Sequence, residues 1–444
     1  MRRVWADKPL RSLAIISLLA SVLACATIAA VATSQGKDSA VLTGDAKGYV
    51  LLARNLIEQG VLSFSLSEPY VPDSFRAPGY PLFLAGLFVV LQDWLLVALV
   101  QAALASVAAV LLYLLLRPYH ERAAWWGSLV FALEPVRLVT ASTLLSDSLF
   151  VVLFLSSLLL LSRCITEQSW RAAALAGAVL GLAILVRPIA QFLPLFFAGY
   201  LFWKLGTRRA AKLSAILVFA CAVVLGPWAV RNHALFDSWN ISSVGPYNLA
   251  AYNAPEFVKY RPSPEGEATL RAFKERQESL PPAERLSLAR AGEFSGVFFD
   301  VIRGRELDYA FFHVIKTTPF FLTDGLRDNV RLLVDIGTMP NISSALLKGR
   351  LGDVAAYLIS GGVGVWLFIA GSVFWAAVCT LALWWLWHKR REKFWIFLAV
   401  LALYFALLTG PVSNARYRLP IEGFLLVAAV AAMFDIKYRL YGAH

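Results

Sequence analysis

The chain has 444 residues, of which 59% are apolar or aromatic and only 16% are charged. Soluble domains carry about 25% charged residues, so this composition excludes an ordinary soluble enzyme and indicates a membrane protein. The net charge of +12 comes from Lys and Arg clusters that lie between long uncharged stretches. Because a bilayer admits apolar helices and keeps charge outside, we attribute the net charge to membrane topology and expect no nucleic-acid partner.

Apolar runs of about 17–25 residues predict an all-α polytopic membrane protein with about ten membrane-spanning helices. The first run also fits a signal peptide, but it is longer than the apolar core of one, and we interpret it as a span. The fifth and sixth runs meet at Arg187-Pro188, so the alternative is one long stretch with a break. The spans lie near residues 12–33, 98–116, 123–140, 148–163, 172–187, 188–203, 213–229, 363–387, 394–410 and 419–434.

Lys and Arg concentrate in alternate connecting segments, and this alternation sets the orientation of the spans. With the N-terminus inside, every inner segment is basic, which requires an even number of crossings. We therefore expect a multi-pass protein of the bacterial inner-membrane type, with both termini in the cytoplasm and the active site on the periplasmic or extracellular face. The inner segments carry Arg2, Arg3, Lys8, Arg11, Arg117, Arg122, Arg163, Arg171, Lys204, Arg208, Arg209, Lys212, Lys389, Arg390, Arg391, Lys393, Lys437 and Arg439.

Three parts of the chain follow from this topology. Residues 1–229 form an N-terminal membrane module whose first outer loop is 34–97. Residues 230–362 form a mostly helical outer-face domain, and residues 363–444 contribute the last spans and a cytoplasmic tail. Helices predicted to pack from the outer-face domain onto the membrane module lie at 294–302 and 307–321.

The first outer loop contains two predicted helices. Apolar residues at positions i, i+3, i+4, i+7 and i+8 from Tyr49 predict an amphipathic surface helix over 46–59. Gly60 is suited to end it, because glycine readily adopts the left-handed conformation of a helix C-cap. The apolar run that follows, to Leu91, is short for a crossing and predicts an interfacial or re-entrant helix.

Two acidic residues are candidates for catalysis. Asp45 stands at the start of the surface helix on the outer face, where a base would meet a substrate. Asp147 lies at the outer end of the fourth span, and an acid at membrane depth indicates function by default. Both acids have an alternative role as helix caps. Asp45 would accept hydrogen bonds from the first free amides of the surface helix, and Ser146 or Asp147 would cap the start of the fourth span.

Five arginines map to the outer face, against the positive-inside trend. The guanidinium group suits bidentate contacts with phosphate, so a lipid phosphate on the outer face would account for the set. The alternative is snorkelling from helix ends, which explains one arginine better than five. The set is Arg76, Arg187, Arg231, Arg416 and Arg418.

Other polar and aromatic residues near the outer face have simpler interpretations. His313 stands among aromatic residues, and we interpret it as a packed, hydrogen-bonded side chain rather than a ligand. Trp228, Tyr247 and Tyr252 are interpreted as interfacial aromatics.

Short motifs then occur in the order and spacing of a known family. Gly44-Asp45 followed by Arg76-Ala77-Pro78-Gly79-Tyr80-Pro81 resembles the first outer loop of the GT-C glycosyltransferases, closest to the protein-mannosyltransferase and aminoarabinose-transferase branch. The ordered set covers roughly 40–235 and 405–430, whereas the large outer loop matches only in kind. The further motifs are Leu145-Ser146-Asp147-Ser148-Leu149-Phe150, Gly181-Leu182-Ala183 with Arg187-Pro188, Pro227-Trp228 with Arg231-Asn232, and Arg416-Tyr417-Arg418-Leu419-Pro420.

This resemblance implies a glycosyltransferase that moves a hexose or pentose from a polyprenyl-phosphate carrier to an acceptor on the outer face, usually with inversion. Asp45 matches the family's catalytic aspartate, since the attacking hydroxyl must lose its proton. Arg76 matches a family position at the lipid phosphate, whose developing charge needs fixed positive groups. Arg416 and Arg418 are further expected contacts.

The resemblance leaves the metal and the acceptor open. Asp147 matches the family's second acidic position, which binds a metal or orients the acceptor. Some members depend on a divalent cation and others show no such need, so the cofactor stays open between none and a divalent metal, Mg or Mn, held by Asp45 and Asp147. This sequence departs from the protein mannosyltransferases in having no extra acid beside Asp45, which argues against both a metal and a protein acceptor. The acceptor is a glycan, a glycolipid or a protein, and membrane lipid is an expected partner.

Two other functions remain as alternatives. A polysaccharide polymerase or ligase would use a polyprenyl-diphosphate donor on the same face. A lipid-carrier flippase or transporter would place polar residues at the midplane and show paired repeats. The centres of the predicted spans are nearly free of charge and no repeat is visible, which favours the transferase.

Overall fold

The structure, a computed structural model, describes residues 7–38, 43–282, 284–323 and 362–441, with single positions at 325, 350, 352 and 356. Most of the second half of the predicted outer-face domain lies outside the described residues. Every regular element in the described part of the chain is helical, as predicted. Seven of these helices are long and apolar enough to cross a membrane, and shorter apolar helices accompany them. The protein is therefore an all-α polytopic membrane protein.

The described residues of the N-terminal half form ten α-helices. In chain order they are α1 (Lys8–Ser34), α2 (Gly44–Gln59), α3 (Gly79–Leu91), α4 (Trp94–Leu116), α5 (Glu121–Leu133), α6 (Pro135–Ser142), α7 (Asp147–Glu167), α8 (Trp170–Val186), α9 (Leu193–Lys204) and α10 (Thr207–Phe236). The seven helices of spanning length include α1, α4, α7 and α10.

The rest of the described chain adds five shorter helices from the predicted outer-face domain, named the outer helices after that prediction, and three long ones. The outer helices are α11 (Val244–Asn248), α12 (Ala254–Tyr260), α13 (Pro264–Ser279), α14 (Ala291–Ile302) and α15 (Glu306–Leu322), with a π-helical turn at Leu249–Asn253. The long helices are α16 (Gly362–His388), α17 (Lys393–Thr409) and α18 (Ala415–Tyr441). Each of these three contains a segment of spanning length.

Prolines explain where predicted spans are broken. The predicted span at 123–140 is two helices, because Pro135 lacks an amide hydrogen and forces Glu134 into an extended conformation. The Glu134 side chain then caps α6 by accepting from the amide of Arg137 at 2.7 Å. The predicted break at Arg187-Pro188 is confirmed: Arg187 is extended, and a 3₁₀ turn separates α8 from α9.

Two helix boundaries near the predicted outer face differ from the sequence prediction. Helix α10 continues to Phe236, beyond the predicted end at 229, and carries Arg231 on its last turns. Helix α2 begins at Gly44 with Thr43 as its N-cap, whose hydroxyl accepts from the amide of Ala46 at 3.1 Å. The N-cap interpretation of Asp45 is therefore wrong, because Thr43 already has that role. Gly60 ends the helix with φ +70°, as predicted.

The outer helices pack in two ways. Helix α15 contacts α16, α17 and α18, so the prediction that it packs onto membrane-spanning helices is confirmed, and the helices it contacts are the last three of the chain. Helix α14 packs instead on other outer helices. Its Phe298 joins Phe257 and Phe312 in a small apolar core separate from the main one.

Glycine permits one close approach that shapes the site. A Cβ at Gly79 would lie 2.7 Å from the backbone carbon of Leu185, so only glycine allows the start of α3 to touch the end of α8. This contact brings the loop before α3, with Arg76, next to the loop after α8, with Arg187.

Candidate active site

Five charged side chains from distant parts of the chain form one continuous chain of ion pairs. Arg76 contacts Asp45 at 2.5 Å, and Asp45 contacts Arg416 at 3.0 Å. Arg416 contacts Asp147 at 2.8 Å, and Asp147 in turn pairs with Arg187. The charges alternate along this site network, and three guanidinium groups against two carboxylates leave a net charge of +1.

Asp45 is the most accessible acid of the site network, with 37% of its side chain exposed. It lies in the first turn of α2, and because Thr43 is the cap, both of its oxygens are available to arginines. Partial burial opposes ionisation, but the guanidinium groups of Arg76 and Arg416 outweigh it and lower the pKa of Asp45 to about 2. Asp45 is therefore a carboxylate at neutral pH.

Arg76 is held by the turn that precedes α3. The Asp73 carboxylate accepts from the amides of Phe75 and Arg76 at 3.1 and 3.0 Å. The Arg76 guanidinium lies 5.0 Å from the ring centroids of both Tyr49 and Phe75, which orient it toward Asp45. Burial raises the pKa of Asp73 to about 6, although these amides and the positive charges of Arg76 and Arg231 oppose the rise.

Asp147 is sealed behind the arginines, with 1% of its side chain exposed. It is the first residue of α7, but both of its oxygens go to guanidinium groups, and neither caps the helix. Ser146, the other predicted cap, makes no capping bond and lies 3.2 Å from the Tyr49 hydroxyl. The buried charge of Asp147 is thus compensated by Arg187 and Arg416.

The site network borders a cavity of about 640 Å³. Four residues of the site network line this cavity: Asp45, Arg76, Arg187 and Arg416. A cavity of this size is typical of small-molecule binding, and the arginines offer an anion several guanidinium donors.

The opposite wall is rich in amides and comes from residues 240–253. Its polar members include Asn240, Ser242, Asn248, Tyr252 and Asn253. Sequence reasoning missed this wall, although three Asn residues within 14 positions of an outer segment were a visible signal. Tyr252, predicted as an interfacial aromatic, lines the cavity.

A series of hydrogen bonds connects this wall to α17. His313 Nε2 lies 2.7 Å from the Leu407 carbonyl, which can only accept, so Nε2 carries the hydrogen. In a neutral ring Nδ1 then accepts from the Tyr309 hydroxyl at 3.1 Å, and Tyr309 accepts from Asn253 Nδ2 at 3.3 Å. His313 is packed and hydrogen-bonded, as predicted.

Two arginines of the predicted set lie away from the cavity. Arg231 donates to the Asp73 carbonyl at 2.9 Å and lies 4.3 Å from the Trp228 ring centroid, so it supports the turn that carries Arg76. Arg418 is fully buried and pairs with Glu422 at 3.2 Å. The lipid-phosphate role expected for these two residues has no support in this geometry, because each is engaged elsewhere.

The arrangement of the two carboxylates does not fit Mg or Mn, the alternative that the sequence left open. Three of their four oxygens accept a hydrogen bond at 2.5–3.0 Å and the fourth pairs with Arg187, so a cation would have to displace several guanidinium groups. No group of three metal-ligating side chains occurs among the described residues.

Comparisons with known proteins agree with this architecture. Residues 76–230 match the family model of dolichyl-phosphate-mannose-protein mannosyltransferases. No curated protein matches the chain in sequence. The archaeal oligosaccharyltransferase AglB from Archaeoglobus fulgidus, in complex with an inhibitory peptide and a dolichol-phosphate, is 14% identical with a TM-score of 0.54 over 99% of this chain and 51% of that one.

The apo form of the Archaeoglobus fulgidus oligosaccharyltransferase gives a TM-score of 0.55 at 16% identity, over 99% of this chain and 52% of that one. The chain thus spans about half the length of these solved structures. The resemblance to GT-C superfamily membrane glycosyltransferases predicted from the motifs is confirmed by the family match and the shared fold.

Proposed function

We propose that the protein is an inverting glycosyltransferase that moves a sugar from a polyprenyl-phosphate carrier to an acceptor hydroxyl on the outer face of the membrane. The observation that carries this proposal is Asp45, a half-exposed carboxylate held between Arg76 and Arg416 at the wall of the cavity. A base and phosphate-binding groups are thereby adjacent, as transfer from a sugar phosphate requires.

The proposed reaction assigns each group a role. The acceptor oxygen forms a bond to the anomeric carbon, the bond from that carbon to the phosphate oxygen breaks, and the lipid phosphate leaves with its negative charge. Asp45 takes the hydroxyl proton. Arg76, Arg187 and Arg416 stabilise the charge on the phosphate. Asp147 contacts neither the donor nor the acceptor, and its ion pairs hold Arg187 and Arg416 in position.

The ion pairs of Asp45 impose an order on this reaction. With a pKa of about 2, Asp45 between two arginines is a weak base. A donor phosphate competes for the same guanidinium groups, since phosphate accepts bidentate contacts as a carboxylate does. Donor binding would therefore release Asp45 and raise its basicity, so we expect the donor to bind before the acceptor reacts.

The comparisons support the donor class without identifying the sugar. The matched family model is named for a dolichyl-phosphate sugar, and the similar AglB structure holds a dolichol-phosphate. The amide-rich wall at Asn240, Asn248 and Asn253 offers donors and acceptors suited to sugar hydroxyls. We place the sugar between this wall and Asp45.

The test is transfer by purified protein from radiolabelled polyprenyl-phosphate hexoses and pentoses, with membrane extract as the acceptor. Asp45→Asn keeps the shape of the side chain and removes the base, so we expect transfer to fall about 1,000-fold while donor binding persists. The matched control is Asp237→Asn, an acid with 96% of its side chain exposed, which should transfer normally.

Adding polyprenyl-diphosphate donors to this assay, together with a separate measurement of donor movement across liposomes, separates the competing functions. Full activity of Asp45→Asn would overturn the proposed base. Product only from polyprenyl-diphosphate donors would assign the protein to the polymerase or ligase class instead. Donor movement across liposomes without any covalent product would indicate a transporter.

A further inference from the structure

A second cavity, of about 620 Å³, lies where the first turns of α1 and α5 meet. Its lining includes Lys8, Arg11 and Arg122, and none of the three forms an ion pair with another described residue. Glu121 is the acid that lines it, and it accepts from the Tyr113 hydroxyl at 3.3 Å. Three cations against one carboxylate leave this basic cavity with a net charge of +2.

The basic cavity lies at the opposite end of the helix bundle from the candidate active site. Helix α18 starts at the site with Arg416, and Phe434, 18 residues later, stacks on His120 with ring centroids 5.7 Å apart. At a rise of about 1.5 Å per residue, these two points are roughly 27 Å apart, close to the thickness of a bilayer's apolar core. His120 is the N-cap of α5, directly before Glu121 of the cavity.

The walls of the basic cavity are held in place by contacts that leave its cations available. Arg117 at the end of α4 pairs with Asp7 at 3.0 Å, which ties α4 to the start of α1. The Trp125 indole donates to the Pro9 carbonyl at 3.0 Å, which ties α5 to α1. Neither contact involves the side chains of Lys8, Arg11 or Arg122, so these three cations stay available to an anion.

The surface beyond the basic cavity is apolar. On α1, Ile15 lines the cavity, and exposed Leu18, Leu19 and Leu23 continue the same side of the helix. On α5, Trp125 and Trp126 line the cavity, packed edge to face at 4.8 Å. A charged opening, a pair of tryptophans and an apolar track are stacked in the order in which a membrane lipid presents its phosphate, glycerol region and acyl chain.

We propose that the basic cavity is a binding site for one anionic glycerophospholipid of the membrane leaflet farther from the candidate active site. The lipid phosphate lies among Lys8, Arg11 and Arg122, and an acyl chain follows the exposed face of α1. Unpaired cations in a cleft between helices discriminate an anionic headgroup from a zwitterionic one, and the apolar track selects a lipid over free phosphate. This site is independent of the proposed transfer reaction.

The experiment measures lipid retention by native mass spectrometry of the full chain, with phosphatidylglycerol and phosphatidylcholine as probes. We expect one tightly held phosphatidylglycerol and no comparable phosphatidylcholine. The triple variant Lys8→Gln, Arg11→Gln, Arg122→Gln should bind phosphatidylglycerol roughly 100-fold more weakly, since each of the three cations near a membrane contributes about a factor of five.

The matched control removes one Lys and two Arg from two other basic segments predicted on the same side, in Arg163→Gln, Arg208→Gln, Lys212→Gln. It should retain the lipid as the unchanged protein does. Equal loss in both triple variants would mean general attraction of anionic lipid and would overturn the site. Equal retention of both lipids by the unchanged protein, or retention of inorganic phosphate in place of lipid, would also overturn it.

Folding of the variants is checked by thermal unfolding in the same detergent. If the triple variant unfolds, Arg11→Gln alone serves as the test, because Arg11 is exposed on the first turns of α1. A single variant should bind phosphatidylglycerol about fivefold more weakly. No change in this variant would count against the proposal.

Discussion

Arg416 and Arg418 lie two residues apart at the start of α18, yet they belong to regions with opposite properties. Arg416 bridges Asp45 and Asp147 in the site network and borders the cavity. Arg418 is 0% exposed, lies 3.5 Å from the Trp375 ring centroid and pairs with Glu422. A charged side chain beside a cavity can release its protein partners and bind a ligand. A fully buried charged side chain cannot reach a ligand, so its role is to stabilise the fold.

The partners of Arg418 explain what it holds. Its guanidinium donates to the carbonyls of Phe320, Phe321 and Thr323 at 3.0, 3.2 and 2.8 Å. These carbonyls belong to the end of α15, where the last turn of a helix lacks intrahelical donors. Arg418 thus caps the C-terminus of α15 and connects that helix to α18, while Glu422 pairs with the Arg418 guanidinium.

The largest expected effect separates the two arginines by activity. Arg416→Lys keeps the charge, but an ammonium group cannot bridge two carboxylates and bind phosphate as a planar guanidinium does. We expect kcat/KM for transfer to fall about 100- to 1,000-fold. Arg418→Lys serves as the control, and its activity per folded molecule should stay within about threefold of the unchanged protein. Equal losses in the two variants would contradict the division into two regions.

The next effect separates them by stability. Arg418→Met leaves Glu422 buried without its partner and leaves the carbonyls of α15 uncapped. We expect a loss of about 3–5 kcal/mol in the free energy of unfolding, measured in detergent with a chemical denaturant. A change below about 1 kcal/mol would show that the buried pair is not needed for the fold.

A smaller effect tests the source of the stability loss. The loss comes either from removing the Arg418–Glu422 ion pair or from leaving one buried charge without its partner. Glu422 Oε1 and Arg418 Nη2 are buried without a hydrogen-bond partner, so the pair is incompletely compensated. Replacing both residues, with Arg418→Met and Glu422→Leu, should recover at least about 2 kcal/mol of the loss in the single variant. A double variant that is less stable than Arg418→Met would contradict this account.

The smallest effect concerns the pH dependence of the site network. Asp45 has a lowered pKa of about 2, so its carboxylate persists in the free protein until the pH falls through that value. Arg76→Gln removes one of the two lowering charges, and the pKa should rise toward the ordinary value near 4. The acid limb of the pH profile of kcat/KM should therefore move up by about one pH unit. Superimposable limbs would mean that Arg76 does not control Asp45.

The positions and types of most helices follow from the sequence. Apolar runs indicated the spanning helices, and helical spacing with Gly60 indicated α2 and its end. Proline explains the break at Arg187-Pro188, and it also explains the unpredicted break at Pro135, where the apolar pattern continues across the interruption. The motifs around Asp45, Arg76, Asp147, Arg187 and Arg416 marked the residues that the structure joins.

Which arginines face the cavity was decided by the tertiary structure. Successive residues of an α-helix are rotated by about 100°, so Arg416 and Arg418 point to nearly opposite sides of α18. The topology prediction puts both at the same end of the spans, but the packing of α2, α7 and α8 forms the cavity beside Arg416, and the packing of α15 and α16 buries Arg418. The helices and the charged candidate residues could be predicted from the sequence, because both depend on local pattern. Their division between binding and support depends on neighbours that are distant in the chain.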